Sequence, residues 1–403
     1  MERSGEPLVL LQTSDWHVGS ALTGKGLGTS PDFRKVRKEE VDGAAERAVA
    51  AAQQAGADLL VVPGDLWDAE NASPAVIHRL LEALASFAPR PVFVAPGNHD
   101  FAGAGGYYDA ALLLSLGMRS WPDNVLVFRS EAWETVPVPG RSDATVTGRA
   151  TLSPAVAERR PLADPPAAAP VPFAVLMLHG SLESYAGPDA PSGAKRTSPF
   201  SADELAAAGF RWAALGHHHR AQIVASGAGE PIGAYSGSPT GRGLDETGPR
   251  FFLKVTLPVE GPALVEKLPA DSRVVHDLAV DVTGLEGAGL REKVARALAE
   301  AGAGPLDIVR ITLAGDQPLG ARPALQLEPL PVRPAHLVVR DRTTPAAADP
   351  DPRTAEGRFL MDMAERLGRA ATPEERRLVE AALALGRDAL AGRTLAPPPL
   401  EEF

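Results

Sequence analysis

The chain contains no cysteine among its 403 residues. This absence excludes disulfide bonds, thiolate metal ligands and a cysteine nucleophile. A metal site in this protein must therefore use His, Asp, Glu or Asn, and nitrogen and oxygen ligands of this kind suit Mn, Mg, Fe or Zn.

Long apolar runs are also missing. No stretch approaches the ~20 apolar residues needed to cross a bilayer, and the first residues, MERSGEPLVLLQTSDWH, carry no small-residue cleavage site. We therefore expect a cytoplasmic protein. The net charge of −11 argues against a protein that coats nucleic acid. It does not argue against a nuclease, because bound metals cancel the charge of ligand carboxylates.

The length predicts two or three domains. In the front half, short apolar runs typical of buried strands alternate with helical patterns near 33–55 and 74–87, which predicts an α/β fold. The apolar runs are LVLLQT (8–13), DLLVVP (58–63), PVFVAP (91–96), FAVLML (173–178) and RWAALG (211–216).

The pattern changes after residue 258. Strand signals at 276–283, 307–315 and 337–341, with a helix near 289–301, predict a small α+β domain. A linker over 343–352 then precedes two amphipathic helical patterns, 353–369 and 373–391.

Asp, Asn or His residues, all possible metal ligands, follow each of the five apolar runs. Each motif alone is commonly structural, as a helix cap, a turn or a buried histidine. Because strand ends of an open α/β sheet gather at one edge, the five together predict a site for two metal ions, in which the two oxygens of Asp65 can bridge the ions. The glycines before Asp65, Asn98 and His217 are expected to allow sharp turns. The motifs are Asp15-x-His17, Gly64-Asp65, Gly97-Asn98-His99-Asp100, His179-Gly180 and Gly216-His217-His218-His219.

The order of these motifs resembles the calcineurin-like metallophosphoesterases. Within that superfamily, Gly-Asp-Leu-Trp-Asp (64–68), Tyr-Ser-Gly-Ser-Pro (235–239) and the later small domain resemble the SbcD nucleases of double-strand-break repair. The resemblance implies a four-layer αββα sandwich over 1–268 and a DNA-capping α+β domain over 269–342. It also implies a linker and helical partner-docking tail over 343–403.

The resemblance also implies a ligand set and two Mn²⁺ ions, or Mg²⁺ in their place. One ion would be held by Asp15, His17, Asp65 and His219, and the second by Asp65, Asn98, His179 and His217. His99 is similar to the family's catalytic histidine, and Asp100 is expected to orient it. His218 is expected to face away from the ions and to support the site. Some relatives carry a histidine where this chain has Asp68, so the role of that histidine is not transferred.

The implied function is a Mn-dependent DNA nuclease, with 3′–5′ exonuclease activity on duplexes and endonuclease activity on single strands and hairpins. It would act in DNA end processing as the SbcD subunit of an SbcC-type SMC-like ATPase, and as a homodimer through the helices at 74–87 and 110–116. Basic clusters at 34–38 and 195–196 either contact phosphate or are solvated charge runs. The alternative is a two-metal phosphodiesterase or phosphatase that acts on nucleotides or other small phosphoesters.

Overall fold

The computed structural model describes residues 5–22, 31–153, 159–187, 197–317, 321, 323–345 and 351–390. The chain divides into two compact units, Met1–Val275 and His276–Phe403. The predicted domain boundary at 268 stays a prediction. The finer division of the second unit into a capping domain and a tail stays a prediction.

The first unit contains two six-stranded sheets and five helices among the described residues. The strands are β1 (Leu8–Gln12), β2 (Leu59–Val62), β3 (Val92–Val94), β4 (Val125–Val127), β5 (Glu134–Val138), β6 (Arg141–Gly148), β7 (Phe173–His179), β8 (Trp212–Gly216), β9 (Gln222–Ala225), β10 (Pro231–Tyr235), β11 (Phe251–Leu257) and β12 (Leu264–Pro269). The helices are α1 (Pro31–Asp42), α2 (Ala44–Gln54), α3 (Pro74–Ala85), α4 (Ala110–Ser115) and α5 (Ala202–Ala207).

The strand order is β12-β11-β1-β2-β3-β4 in one sheet and β5-β6-β7-β8-β10-β9 in the other. Within each sheet the neighbouring strands that precede the site motifs, β1, β2 and β3 in one and β7 and β8 in the other, are parallel. Their carboxyl ends therefore lie at the same edge of their sheet.

Three apolar cores separate four layers. One packs α2 and α3 on the outer face of the first sheet, one fills the space between the sheets, and one packs α5 on the outer face of the second sheet. Adjacent residues of β1 show the alternation, since Leu10 faces the second sheet and Leu11 faces the helices. The predicted αββα sandwich is confirmed.

A buried glutamine joins the two sheets near the site edge. Nε2 of Gln12 donates to the carbonyl oxygen of Ala234 at 2.5 Å, and its Oε1 accepts from Nε1 of Trp212 at 3.0 Å. Gln12 is fully buried, so these hydrogen bonds are needed to compensate its desolvation. They fix the end of β1 against β8 and β10.

The predicted helix at 33–55 is wrong in one respect: two helices, α1 and α2, occupy this stretch and meet at Gly43. A Cβ atom at Gly43 would lie 3.2 Å from guanidinium nitrogens of Arg47 and Arg79. Glycine is a weak helix former and leaves room for these side chains. The predicted helix at 74–87 is confirmed as α3, which begins after the N-cap Ser73.

The second unit contains the three-stranded sheet β13-β14-β16 and the two-stranded sheet β15-β17. Its helix α6 packs on the larger sheet through Leu290, Val294 and Leu298. Helices α7 and α8 follow and contact each other. The elements are β13 (Val275–Asp281), α6 (Gly287–Glu300), β14 (Ile308–Ala314), β15 (Asp316–Gln317), a 3-10 helix (Pro323–Gln326), β16 (His336–Asp341), β17 (Thr344–Pro345), α7 (Ala355–Arg369) and α8 (Pro373–Leu390).

The three helices predicted in this part of the chain are confirmed, with ends shifted by at most two residues. Among the described residues, no helix has the length and apolar character that a membrane crossing requires.

Candidate metal centre

The carboxyl ends of five strands bring the predicted ligands together. Asp15 and His17 follow β1, Asp65 follows β2, Asn98 follows β3, His179 ends β7, and His217 and His219 follow β8. Two groups have ligand atoms within 4.8 Å of one another, Asp15 with His17 and His219, and Asp65 with His179 and His217. Each group is part of one of the two ligand sets that the family resemblance implies, in which Asp65 also belongs to the first set and Asn98 to the second.

Asp65 and Asn98 connect these groups. Oδ2 of Asp65 lies 3.6 Å from Nε2 of His17 and 3.4 Å from Nε2 of His179. Oδ1 of Asn98 lies 2.9 Å from Nε2 of His179 and 3.2 Å from Nδ1 of His217. The Asp65 carboxylate therefore reaches both groups, as a bridging ligand must.

His17 and His179 each have one ring nitrogen at hydrogen-bond distance from a group outside the centre. Nδ1 of His17 lies 2.6 Å from Oδ1 of Asp68, and Nδ1 of His179 lies 2.9 Å from the carbonyl oxygen of Pro63. Each Nδ1 must carry the proton to donate these hydrogen bonds, so each Nε2 presents a lone pair. An outer partner that fixes the tautomer is usual behind metal-bound histidine.

These lone pairs face acceptors rather than donors. Nε2 of His179 points at the oxygens of Asn98 and Asp65. Nε2 of His17 is buried and has no hydrogen-bond partner among the described residues. A cation between them satisfies every one of these atoms, so the residues fit divalent metal ions.

The electrostatics favour neutral His17 and His217 and an ionised Asp65. Burial alone would lower the pKa of His179, but the charges of Asp65 and Asp15 outweigh it and raise that pKa. Burial, with the charges of Arg242 and His219, holds the pKa of His17 well below its usual range, and burial with His179 does so for His217. Burial alone would raise the pKa of Asp65, but nearby His179 and His99 outweigh it and lower that pKa. Burial raises the pKa of Asp15 to about 6. Neutral histidine and ionised carboxylate are the forms that bind metal.

Four of the predicted ligands have left-handed backbones, with φ of 55° at Asp15, 48° at His17, 55° at Asp65 and 110° at His217. Such conformations are costly for residues with a side chain and persist where the surrounding structure imposes them. Here hydrogen bonds between the loops do so: the amide of His217 donates to the Asp15 carboxylate at 3.0 Å.

The neighbouring glycines mostly serve close packing. Gly64 has φ of +93° and makes the expected sharp turn. At Gly97 a Cβ atom would collide with the Asp65 carboxylate and the His179 ring, and at Gly216 with the carbonyl oxygen of Pro63. The expectation of sharp turns is therefore refined: of the three glycines only Gly64 has a positive φ, whereas a side chain would collide with neighbouring atoms at all three positions.

His99 lies at the mouth of the centre, with its side chain 52% exposed. Its ring packs edge-on against His17 with centroids 4.8 Å apart, and its Nδ1 lies 3.5 Å from Oδ1 of Asp68. Asp68, His17 and His99 also have atoms within 4.8 Å of one another. Oδ1 of Asp68 therefore lies near Nδ1 of both His17 and His99, and we assign Asp68 as the partner of both imidazoles.

The expectation that Asp100 orients His99 is wrong. Its Oδ1 accepts from the amides of Asp65 and Gly97 at 3.0 and 2.6 Å, and its Oδ2 accepts from the amide of Leu66 at 2.9 Å and from the hydroxyl of Tyr108 at 2.8 Å. Both oxygens are thus used to join the loops that follow β2 and β3. Burial raises the pKa of Asp100 to about 6, and the nearby Asp65 charge adds to the rise.

Sequence reasoning missed Glu246. Its side chain is buried, and its Oε1 lies 3.0 Å from Nδ1 of His219 and 3.0 Å from Nη2 of Arg242. Burial alone would raise the pKa of Glu246, but the charges of Arg242 and His219 hold it well below its usual range. No local motif marks this residue, which lies 27 positions after His219.

His218 is buried away from the centre, as expected. Its ring stacks on Tyr185 with centroids 3.6 Å apart and an interplanar angle of 6°, and it meets Tyr235 edge-on. These contacts fix the segment that carries His217 and His219.

The predicted basic cluster at 34–38 is partly structural. Arg37 is buried, and its guanidinium pairs with Asp271 at 2.5 Å and Glu40 at 2.8 Å, so it is not available to phosphate. Lys38 pairs with Asp42 at 3.1 Å. The other predicted pair, Lys195 and Arg196, lies outside the described residues.

Comparisons with known proteins identify the family. The profile of the Calcineurin-like phosphoesterase family matches residues 8–221, just over half of the chain. YhaO of Bacillus subtilis (strain 168), described as an uncharacterized metallophosphoesterase, is 29% identical over 290 residues, which cover 68% of this chain and 64% of that protein. The match therefore spans slightly less than two thirds of that relative's length.

Two solved structures align more distantly. TT1561 of Thermus thermophilus aligns with 14% identity and a TM-score of 0.38, over 66% of this chain and 100% of that one. Purple acid phosphatase PPD1 from yellow lupin (Lupinus luteus) seeds aligns with 14% identity and a TM-score of 0.36, over 67% of this chain and 53% of that one.

Members of the matched family use divalent metals to hydrolyse phosphoesters, and this chain has clusters of residues that suit such ions. The chain therefore belongs to the calcineurin-like phosphoesterase family.

Proposed function

We propose that this protein is a Mn-dependent DNA nuclease of the SbcD type that hydrolyses phosphodiester bonds at the candidate metal centre. The observation that carries the hydrolytic part is the set of imidazole lone pairs and carboxylates around Asp65, with His17 Nε2 buried and unpartnered among the described residues. The motifs at 64–68 and 235–239 and the separate second unit support DNA as the substrate.

In this proposal, one Mn²⁺ is held by Asp15, His17, Asp65 and His219, and another by Asp65, Asn98, His179 and His217. Ions bound there supply an activated water and neutralise charge on the phosphoryl group. Asp68, the Pro63 carbonyl and Glu246 hold the imidazoles in the tautomer and orientation that the site needs.

His99 is proposed to act on the leaving group. Its Nδ1 faces Asp68, so its Nε2 is the nitrogen available to a leaving oxygen. Its exposed position at the mouth allows an incoming phosphodiester to reach it, and proton transfer from a placed imidazole is a common source of rate enhancement. Asp100 is a positioning residue, because it holds the amides of Asp65 and Gly97.

Exposed apolar residues support two proposed partners. We propose that α7 and α8 dock on an SbcC-type SMC-like ATPase, since Met361 is 47% and Leu378 is 59% exposed. We propose a homodimer through α3 and α4, because Leu114 on α4 and Leu116 at its C-terminal end are 65% and 42% exposed. The proposed location of this assembly is the cytoplasm.

The test is incubation of the purified chain with labelled duplex and hairpin DNA plus Mn²⁺, with and without EDTA, beside a chromogenic diester, bis(p-nitrophenyl) phosphate. The expected result is EDTA-sensitive cleavage of DNA, with two Mn²⁺ bound per chain by calorimetry. Hydrolysis of the chromogenic diester without DNA cleavage would favour the alternative, a phosphodiesterase of nucleotides or small phosphoesters. Failure to hydrolyse either substrate with two ions bound would refute both.

A further inference from the structure

A basic pocket opens beside the candidate metal centre. It has a volume of about 180 Å³ and is bounded on one side by His219. Arg220, Arg250, Lys267 and the ring of Phe251 contribute to its lining. No acidic residue belongs to the lining, although the chain as a whole carries a net charge of −11.

Two of the three cations are free to bind an external anion. Arg220 and Lys267 are exposed and form no ion pair among the described residues. The ammonium group of Lys267 lies 5.3 Å from the centroid of the Phe251 ring, a cation–π contact that holds it over the pocket.

The third cation is buried and incompletely compensated. Arg250 is 7% exposed, its Nη1 donates to the carbonyl oxygen of His219 at 2.6 Å, and its Nε has no partner among the described residues. Burial lowers the pKa of Arg250, and repulsion from Arg220 and Arg242 opposes the attraction of Glu246 and Asp271. A buried charge of this kind is costly until an anion approaches it.

We propose that this pocket binds a second phosphate group of the substrate, one nucleotide away from the bond that is cleaved. Arg220, Arg250 and Lys267 supply the positive charge that a phosphate needs. His219 lines the pocket and is also a candidate metal ligand, so the pocket lies next to the candidate metal centre. A substrate with two phosphates is thereby preferred over a simple ester. The inference rests on the proposed phosphodiester hydrolysis at the same centre.

The test uses four chromogenic nucleotides with the Mn²⁺-loaded full chain. These are the p-nitrophenyl esters of thymidine 5′-phosphate and of thymidine 3′-phosphate, each with and without a second phosphate at the other position of the sugar. Because a hydrogen bond to a charged group contributes enough for about a tenfold change, we expect the second phosphate to raise kcat/KM by about tenfold or more in at least one pair. The double variant Arg220→Gln/Lys267→Gln should remove most of that gain.

Lys254→Gln is the matched control. Lys254 lies on β11 next to β12 and pairs with Glu266, whereas Lys267 is opposite Leu253, so the two lysines project from opposite faces of the sheet. This variant loses the same charge and should keep the full gain from the second phosphate.

The outcomes separate this inference from the proposed function. Equal hydrolysis of the nucleotides with and without a second phosphate, or loss of the gain with Lys254→Gln as well, would overturn the pocket assignment while leaving phosphodiester hydrolysis intact. A second-phosphate gain in a protein that does not cut DNA would keep the pocket and refute the nuclease. Salt dependence gives a further check, because each cation that contacts phosphate on a single strand contributes about 0.7 to the slope of log affinity against log salt.

Discussion

Asp68 offers the sharpest test of how the centre is assembled, because one carboxylate serves two imidazoles. Its Oδ1 lies 2.6 Å from Nδ1 of His17 and 3.5 Å from Nδ1 of His99, and its side chain is 16% exposed. We expect Asp68→Asn to weaken Mn²⁺ binding and to slow hydrolysis, since the amide can still accept from His17 but no longer carries a charge.

The magnitude follows from the contact with His17. A hydrogen bond to a charged group contributes ~1.5–3 kcal/mol, and ~1.4 kcal/mol corresponds to a tenfold change in affinity. Loss of the charge alone should raise the Mn²⁺ dissociation constant about tenfold, and Asp68→Ala, which removes the acceptor as well, about 100-fold. The rate constant should fall further, because His99 loses the same partner.

Calorimetric titration with Mn²⁺ and steady-state hydrolysis of bis(p-nitrophenyl) phosphate measure the two effects separately. Glu70→Gln is the control, since Glu70 is exposed on the same loop and the variant loses the same charge. If Asp68→Ala changed the dissociation constant and kcat no more than Glu70→Gln does, the assignment of Asp68 as the common partner of His17 and His99 would be refuted.

Three further predictions concern the proposed catalytic histidine, the tail and a buried ion pair. His99→Leu should abolish hydrolysis yet retain two Mn²⁺ by calorimetry, whereas Asp65→Asn should weaken both sites; loss of metal with His99→Leu would contradict the role given to His99. Deletion of residues 353–403 should spare the proposed Mn²⁺-dependent hydrolysis and abolish pull-down of the proposed SbcC-type ATPase partner; retained pull-down would show that α7 and α8 are not the docking element. Asp271→Asn should destabilise the chain by ~1.5–3 kcal/mol at pH 7, because it removes one of the two carboxylates that pair with the fully buried Arg37 and leaves only Glu40. Burial alone would raise the pKa of Asp271, but Arg37 lowers it below 3.8, so this stability is present above pH 3.8 and is lost as the pH falls through the folded value. If the difference in thermal midpoint between the Asp271→Asn variant and the unchanged chain persisted well below pH 3.8, the Arg37–Asp271 ion pair would be contradicted.

The sequence alone was sufficient for the strands that carry the site. Runs such as 58–63 and 173–178 are apolar over their whole length because β2 and β7 are buried on both faces, and this pattern is local. The ligand types and their order after each strand could also be predicted, since parallel strands bring their carboxyl ends to one edge. The break between helices α1 and α2 at Gly43 could not be predicted, because a single glycine is tolerated in many helices.

Only the tertiary structure decided which groups support the ligands. Asp100 stands next to His99 in the chain, yet its oxygens accept from amides that follow β2 and β3. Glu246 reaches His219 across 27 positions, and Arg37 reaches Asp271 across 234, so it is a structural residue rather than a phosphate contact. A hydrogen bond depends on where two side chains end in space, and pairs so distant in sequence leave no periodic or local signal. The sequence by itself therefore determined the candidate metal ligands, whereas only the fold determined their partners and the basic pocket beside His219.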